Sequence, residues 1–242
     1  MTIRARIGVL VPSGNPTVEP ELYRMAPEGV TIHFARLDSG EGAPGTPDAI
    51  EQRTLGYLDA LPAAVRSLAA IKLDAILLAH TGVSYVNGVN GEPALATRLA
   101  DLAGTQVTTA AGAIATGLRR LGVKRLALAT PYPPSISEAG RAFWEASGFE
   151  IVGYRRLEGV ANIYDETEDR ARSLARAADA PTADAVLVSG TGLPTAGIIE
   201  DLERELGKPV VTSQQASLWR ALRLARVADS VPGFGRLLRE RA

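Results

Sequence analysis

Short apolar runs of about four to eight residues alternate along this chain with longer stretches in which apolar residues recur every three or four positions. The runs predict strands at about Ile7 to Val11, Val30 to Arg36, Ala75 to Ala79, Gln106 to Thr109, Arg125 to Thr130, Glu150 to Leu157, Ala185 to Ser189 and Pro209 to Thr212. The periodic stretches predict helices over Glu19 to Met25, Ile50 to Leu68, Glu92 to Ala103, Ala113 to Leu121, Ser135 to Ala146, Glu166 to Ala178, Thr195 to Leu206 and Ala216 to Val227. Gly104, Gly122, Gly148 and Gly207 each follow a helical stretch just before a strand, where a left-handed cap residue is wanted. Regular alternation of this kind calls for α/β architecture, with parallel sheets covered by helices on both faces.

The pattern also repeats. Asp74 to Gly82 reads D-A-I-L-L-A-H-T-G, and Asp184 to Gly192, 110 residues on, reads D-A-V-L-V-S-G-T-G. Arg6 to Pro12 resembles Arg125 to Pro131, and Gly104 to Gly112 resembles Gly207 to Gln215. A period of about half the chain implies two pseudosymmetric α/β halves, each a short parallel sheet flanked by helices, with the active site between them. The expected division is 1–116 for the first half, closed by the C-terminal helix 216–242, and 117–215 for the second.

Composition narrows the classes. The 242 residues are 46% apolar, enough to bury a substantial core, and the formal net charge is −1. Nothing in that balance favours nucleic acid or an anionic membrane as a partner, and the densest basic cluster, Arg119, Arg120, Lys124 and Arg125, suits a helix end and strand start. There is no cysteine, hence no disulfide, no thiolate nucleophile and no cysteine-type zinc site. The N-terminus lacks a signal-peptide pattern and no apolar run is long enough to span a bilayer, so a cytoplasmic location is expected. Enzymes of this size are often symmetric homo-oligomers.

Candidate chemistry collects at the predicted strand ends, where ligands bind in open α/β sheets. Val11 to Asn15, including Ser13, His80 to Ser84, including Val83, Thr130 to Tyr132, and Ser189 to Gly192 are rich in small and hydroxylated residues. Successive N–H groups in such segments form nests for anions. The Gly190-Thr191-Gly192 segment lacks the third glycine of a dinucleotide fingerprint and no P-loop lysine follows, so a small carboxylate suits it better. His80 sits where a reacting group has to sit, either as a proton-transfer or substrate-binding residue or as a hydrogen-bonded structural one. His33, the other histidine, lies within a strand and reads as a packed residue. Tyr132 is either a donor to a substrate oxygen or a partly buried phenol. Two separated histidines and no cysteine argue against metal catalysis, and the acidic run Asp165 to Asp169 reads as a helix start. No G-x-S-x-G elbow is present, which leaves Ser84 a nucleophile only by default. Asp38 to Asp48, rich in glycine and proline, is either a lid or a long connection.

V-P-S-G-N-P-T-V-E-P-E (11–21), L-L-A-H-T-G-V-S-Y (77–85), L-A-T-P-Y (128–132), V-L-V-S-G-T-G-L-P-T (186–195) and P-G-F-G-R-L (232–237) together resemble the maleate isomerase and arylmalonate decarboxylase branch of the aspartate/glutamate racemase superfamily. The resemblance implies cofactor-independent chemistry on small carboxylates, with cysteines from one or both halves. It implies substrate binding by Asn15, Tyr132 and Asn162, and a carboxylate cradle at Thr81, Gly82 and Thr191. It places the two family cysteines at His80 and Gly190. Gly190 then removes both thiol-dependent maleate isomerisation and decarboxylation that relies on the second-half cysteine, and two-base racemisation goes with them.

These observations lead to a cofactor-independent lyase or isomerase, decarboxylase-like or hydratase/isomerase-like. It acts on a small mono- or dicarboxylic acid with His80 and Tyr132 as catalytic candidates and Ser13, Asn15, Thr81, Gly82, Val83, Asn162, Gly190, Thr191 and Gly192 as binding candidates. The alternative is a catalytically inactive protein that binds a small carboxylate.

Overall fold

The computed structural model describes residues 2–38 and 46–240. Its first sheet has the order β2 (Val30–Leu37), β1 (Ala5–Pro12), β3 (Ala75–Leu78), β4 (Val107–Thr109), all parallel. The second, β6 (Glu150–Arg156), β5 (Arg125–Thr130), β7 (Ala185–Val188), β8 (Val210–Thr212), has the same order and sense. The sequence repeat is therefore a repeat of topology, and the eight expected strands are all present.

The central strands are apolar on both faces because both faces are covered. Ile7, Val9 and Val11 of β1 share one core with Leu77 of β3, Leu126 and Leu128 of β5 and Leu187 of β7, so a single apolar layer joins the two sheets. The alternate positions face outward onto helices. Leu10, Ile76 and Leu78 meet Tyr57, Leu61 and Val65 of α2 (Pro47–Ala69) and Leu95 and Leu99 of α3 (Thr81–Ala103). Ala127, Val186 and Val188 meet α6 (Glu168–Ala178) and α7 (Ile199–Leu206). Between these helices in chain order lie α4 (Ala110–Arg120) and α5 (Pro134–Ala146), and α1 (Val18–Met25) precedes them. Near the C-terminus α8 (Ser213–Leu224) packs on α1 and α4, and the short α9 (Gly235–Arg239) on α7 and α8.

Helix starts depart from the sequence expectation. α3 begins at Thr81 rather than near Glu92, directly off the end of β3, and bends at Gly88, where φ is +74°. Its first turns, T-G-V-S-Y-V-N-G-V-N-G, contain too many small and polar residues to show an apolar period. α4 and α8 likewise start early, capped by Thr109 and Thr212, whose side chains accept from the Gly112 and Gln215 amides. α7 starts later than Thr195, the 3-10 turn Ile163–Asp165 was not expected, and the C-terminal helix expected over 216–242 is two helices, α8 and α9, separated by residues 225–234. Of the Asp38 to Asp48 segment, residues 39–45 lie outside the described residues, and α2 has begun by Pro47.

Candidate active site

His80 is the N-cap of α3. Its extended backbone turns the ring back over the helix start, and Nδ1 accepts the Val83 N–H at 3.0 Å. With that lone pair engaged, the neutral ring carries its proton on Nε2, which makes His80 a donor. The residue is 6% exposed and its ring lies 5.0 Å, centroid to centroid, from the ring of Tyr57. Burial lowers its pKa to about 4, so His80 is neutral at physiological pH.

Beside it the two T-G turns meet. The Thr81 hydroxyl is 2.5 Å from the Tyr132 phenol, and the backbones of Gly82 and Thr191, one from each half, lie near enough to the same phenol to act on its pKa. Burial, partly offset by these groups, pushes Tyr132 up to about 12, which keeps it protonated. Thr191 is fixed by donating to the Ala79 carbonyl at 3.0 Å, and its own carbonyl accepts from Asn15 Nδ2 at 3.2 Å and Gln214 Nε2 at 3.0 Å. The Asn15 side chain also accepts the Thr17 and Val18 amides, starting α1, while Thr17 donates to the Gly192 carbonyl. Asn15 thus joins β1 of the first half to the second-half turn.

The remaining sequence candidates spread around this centre. Ser13 is half-buried at the end of β1, with its N–H on the Leu37 carbonyl and its own carbonyl accepting from Arg36. Val83, fully buried, gives its N–H to His80. Asn162 caps the 3-10 turn by accepting the Tyr164 N–H, and the Tyr164 ring lies against Gly192, where an added Cβ would stand 3.1 Å from Cε1. Gly190 has φ +113°, and an added Cβ would come within 2.6 Å of Pro131 Cγ, so no L side chain fits there without a shift. Its N–H donates to Ser213 Oγ at 2.9 Å. Ser84 is buried in α3 and its Oγ has no hydrogen-bond partner. His33 lies in β2, bonded to Thr31 Oγ1. Among the described residues no group of His, Asp and Glu side chains could hold a metal ion, and no helix is long and apolar enough to cross a membrane.

Several residues at the site were missed in the sequence. The buried face of α2 that carries Ile50, Arg53, Thr54 and Tyr57 lies over the first half, with Thr54 Cγ2 3.5 Å from a Cβ built on Gly82. Tyr85 supports Tyr132 edge-on at 6.2 Å, and its hydroxyl bridges Ser189 Oγ at 2.5 Å and Trp144 Nε1 at 3.0 Å. For the α2 residues the signal is ordinary helical periodicity, the same that marks a core face, which is why it pointed to packing.

Two parallel sheets of one strand order, with polar strand ends brought together across a shared core, define a pseudosymmetric two-sheet α/β protein. The family model for arylmalonate decarboxylase matches residues 7–238, and the chain belongs to that family. It is 34% identical to the maleate isomerase of Nocardia farcinica (strain IFM 10152), covering 97% of this chain and 96% of that one. It is 32% identical to the arylmalonate decarboxylase of Bordetella bronchiseptica, covering 97% and 96%. Among solved structures it superimposes on a cysteine-to-serine variant of the Nocardia farcinica maleate cis-trans isomerase with a covalently bound succinylcysteine intermediate, with TM-score 0.87, 30% identity and 98% and 99% coverage. An arylmalonate decarboxylase crystal structure matches with TM-score 0.76, 30% identity and 96% and 98% coverage. The relatives are named enzymes, in agreement with the lyase-or-isomerase reading. A succinylcysteine requires a thiol, and this chain has none.

Proposed function

We propose that this protein is a cofactor-independent lyase or isomerase of small carboxylic acids, built from halves 1–116 and 117–215, in which His80 supplies a proton from the first-half side. The observation that carries the reading is the meeting of the two T-G turns, Thr81 bonded to the Tyr132 hydroxyl at 2.5 Å and Thr191 of the other half bonded to the Ala79 carbonyl beside it. Hydroxyl and amide groups from both halves, gathered beside the Tyr132 hydroxyl, suit a carboxylate whose charge grows during reaction. Loss of CO₂ beside such a carboxylate leaves an electron pair delocalised into it. Preorganised amides and hydroxyls stabilise that enediolate by several kcal/mol.

His80 then acts as an acid. Its Nδ1 lone pair is occupied and its Nε2 carries the proton, so a base role is closed to the neutral ring. A carbanion beside a carboxylate is far more basic than an imidazolate. Transfer of the Nε2 proton to that carbon therefore runs downhill, and the imidazolate recovers its proton from water. Tyr132, held protonated, donates to a carboxylate oxygen. Ser13, Asn15, Val83, Asn162, Gly190 and Gly192 shape the surrounding wall in this reading.

The test is incubation with a panel of malonates, maleate and hydroxy acids in D₂O, followed by proton NMR. Turnover, double-bond migration or solvent exchange at the α-carbon is expected. Saturable binding with none of these identifies a non-catalytic carboxylate binder instead.

A further inference from the structure

We infer that Glu21 is a positioning residue for the site: its carboxylate, carried by α1 of the first half, latches the second-half chain that holds the Thr191-Gly192 turn, and its charged form is the one that fixes that turn for a ligand. The inference rests on the reading of the T-G turns as a carboxylate cradle. Between the end of β7 and the start of α7 the chain runs S-G-T-G-L-P-T-A-G-I (189–198) as neither strand nor helix. Turn bonds such as that from the Leu193 N–H to the Gly190 carbonyl shape it locally, but its place over the site has to be set by side chains. The first-half segment that opens α1 supplies them in register. Asn15 donates to the Thr191 carbonyl at 3.2 Å and Thr17 to the Gly192 carbonyl at 3.1 Å, and Glu21 Oε1 accepts the amides of Thr195 and Ala196 at 2.5 and 2.7 Å.

Glu21 differs from the other two in carrying charge at depth, being 7% exposed. Besides the two amides, the Thr195 hydroxyl donates to its Oε2 at 3.3 Å. The next amide, Gly197, goes to Glu168 of α6 at 2.9 Å, so three successive N–H groups form a nest filled by two carboxylates, one from each half. An ionised Glu21 accepts all three of its bonds, each roughly twice as strong as a neutral one, whereas a carboxylic acid carries on one oxygen a proton that competes with those donors. Burial, with the charge of Glu168 added, opposes ionisation and raises the group to about 7, so both forms of the latch are present near neutrality. The other charged groups around α1 have their own places. Glu168 meets Arg24 at 3.7 Å, Glu19 pairs with Arg36 of β2, His33 of β2 bonds to Thr31, and Arg223 of α8 donates to the Val227 carbonyl, with Arg220 half-buried on the same helix.

The experiment follows backbone amides by NMR and titrates acetate, a simple carboxylate that stays ionised throughout, into wild type and Glu21→Gln at pH values well below and well above 7. In wild type the Thr195 and Ala196 amide signals should move about a midpoint near 7, and those of Thr191 and Gly192 should follow with the same midpoint. Acetate should bind about fivefold more tightly on the alkaline side, the scale of exchanging a neutral for a charge-assisted hydrogen bond. A direct charge effect has the opposite sign, since a new negative charge repels an anion, so tighter binding reports the latch. Glu21→Gln, isosteric with the neutral acid, should lack these titrations and keep the weaker affinity at both pH values. Thr195 and Ala196 signals that titrate while Thr191 and Gly192 stay still overturn the inference, because Glu21 is then structural only. So does a wild-type affinity that is flat or falls as pH rises, or a titration that persists in Glu21→Gln. Should Glu21→Gln fail to fold, the wild-type titrations decide alone. Acetate binding at neither pH overturns the cradle and this inference with it; the amide titrations tell that failure from a failed latch, since they need no ligand.

Discussion

The two halves share a scaffold and differ where they face each other. In each, an aspartate at the start of the third strand takes the backbone N–H of the arginine that opens the central strand, Asp74 with Arg6 and Asp184 with Arg125, both at 2.8 Å. In each, the third strand ends in a Thr-Gly pair. The residue before that pair is a buried histidine in one half and, in the other, a glycine at φ +113° against Pro131. The first pair also opens a helix, whereas the second lies in a turn held by Asn15, Thr17 and Gln214. The two halves thus share the frame but only one carries a histidine at this position, so under the proposed function proton delivery is expected on one face of the substrate only. With a prochiral malonate, the product should have the configuration opposite to that made from the second-half side, for the same binding orientation.

The largest expected effect comes from removing the side chain that makes the halves unequal. His80→Gln keeps an N–H donor but cannot surrender a proton, so kcat should fall about 10²–10⁴-fold with little change in KM. A merely hydrogen-bonding His80 predicts near-normal kcat. The wild-type rate should show no titration near pH 6.5, because His80 titrates at about 4. A limb at 6.5 assigned to His80 by its loss in the variant would contradict the buried, neutral ring.

Making the halves more alike should be harder on the other side. Gly190→Cys places a Cβ 2.6 Å from Pro131 Cγ at a positive φ, and should cost about 1–3 kcal/mol in denaturant unfolding. Gly190→Cys combined with Pro131→Ala should recover the part due to the clash but not the part due to φ. A single variant as stable as wild type would show that this wall yields, and that the site is less one-sided than its glycine suggests.

How much of this was legible follows from what each residue does locally. The strands were readable because burial on both faces leaves unbroken apolar runs, and Gly104 and Gly207 were readable because φ near +65° at a helix end selects glycine. The meeting of His80, Thr81 and Gly82 with Thr191 was readable from the repeat, since an apolar run that ends twice in the same small residues is easily seen. The helix start at Thr81 was hidden because capping by a histidine ring through Val83 leaves no ordinary cap signature. Tyr57 and Tyr164 were hidden for a different reason. Their place at the site depends on how α2 and the 3-10 turn lie over the strand ends, and that geometry has no local code.

A subtler contrast concerns two buried groups whose proton affinities move oppositely. Glu21 of α1 accepts the Thr195 and Ala196 amides of the second half, and burial, aided by the nearby Glu168, raises it to about 7. Between its ordinary 4.5 and 7, the folded state holds a proton that the unfolded state has released, so stability falls as pH rises. His80 does the reverse: between about 4 and 6.5 the unfolded ring binds a proton that the folded ring refuses, so stability rises with pH. Each is worth up to about 3 kcal/mol across its window. Wild-type stability should therefore be nearly flat from pH 4.5 to 6.5. Glu21→Gln should uncover a rise and His80→Gln a fall, read as shifts in denaturant midpoint with pH. Parallel curves for all three proteins would dismiss both assignments.

The smallest effect tests how equivalent the two frames are. Asp74 and Asp184 take the same strand-opening amide, but Asp184 also accepts the Lys124 N–H at 3.0 Å and the Arg125 guanidinium at 2.8 Å. The Arg125 side chain and these amides hold the Asp184 carboxyl down at about 2. Because the guanidinium is exposed, salt screens its share, whereas the amide bonds common to both sites are short-range. Asp184→Asn should consequently lower the melting temperature more than Asp74→Asn at low salt. The gap should narrow as salt is added. A gap indifferent to salt would place the difference in the extra Lys124 amide rather than in the ion pair, and would make the second-half frame more rigid in its backbone than the first.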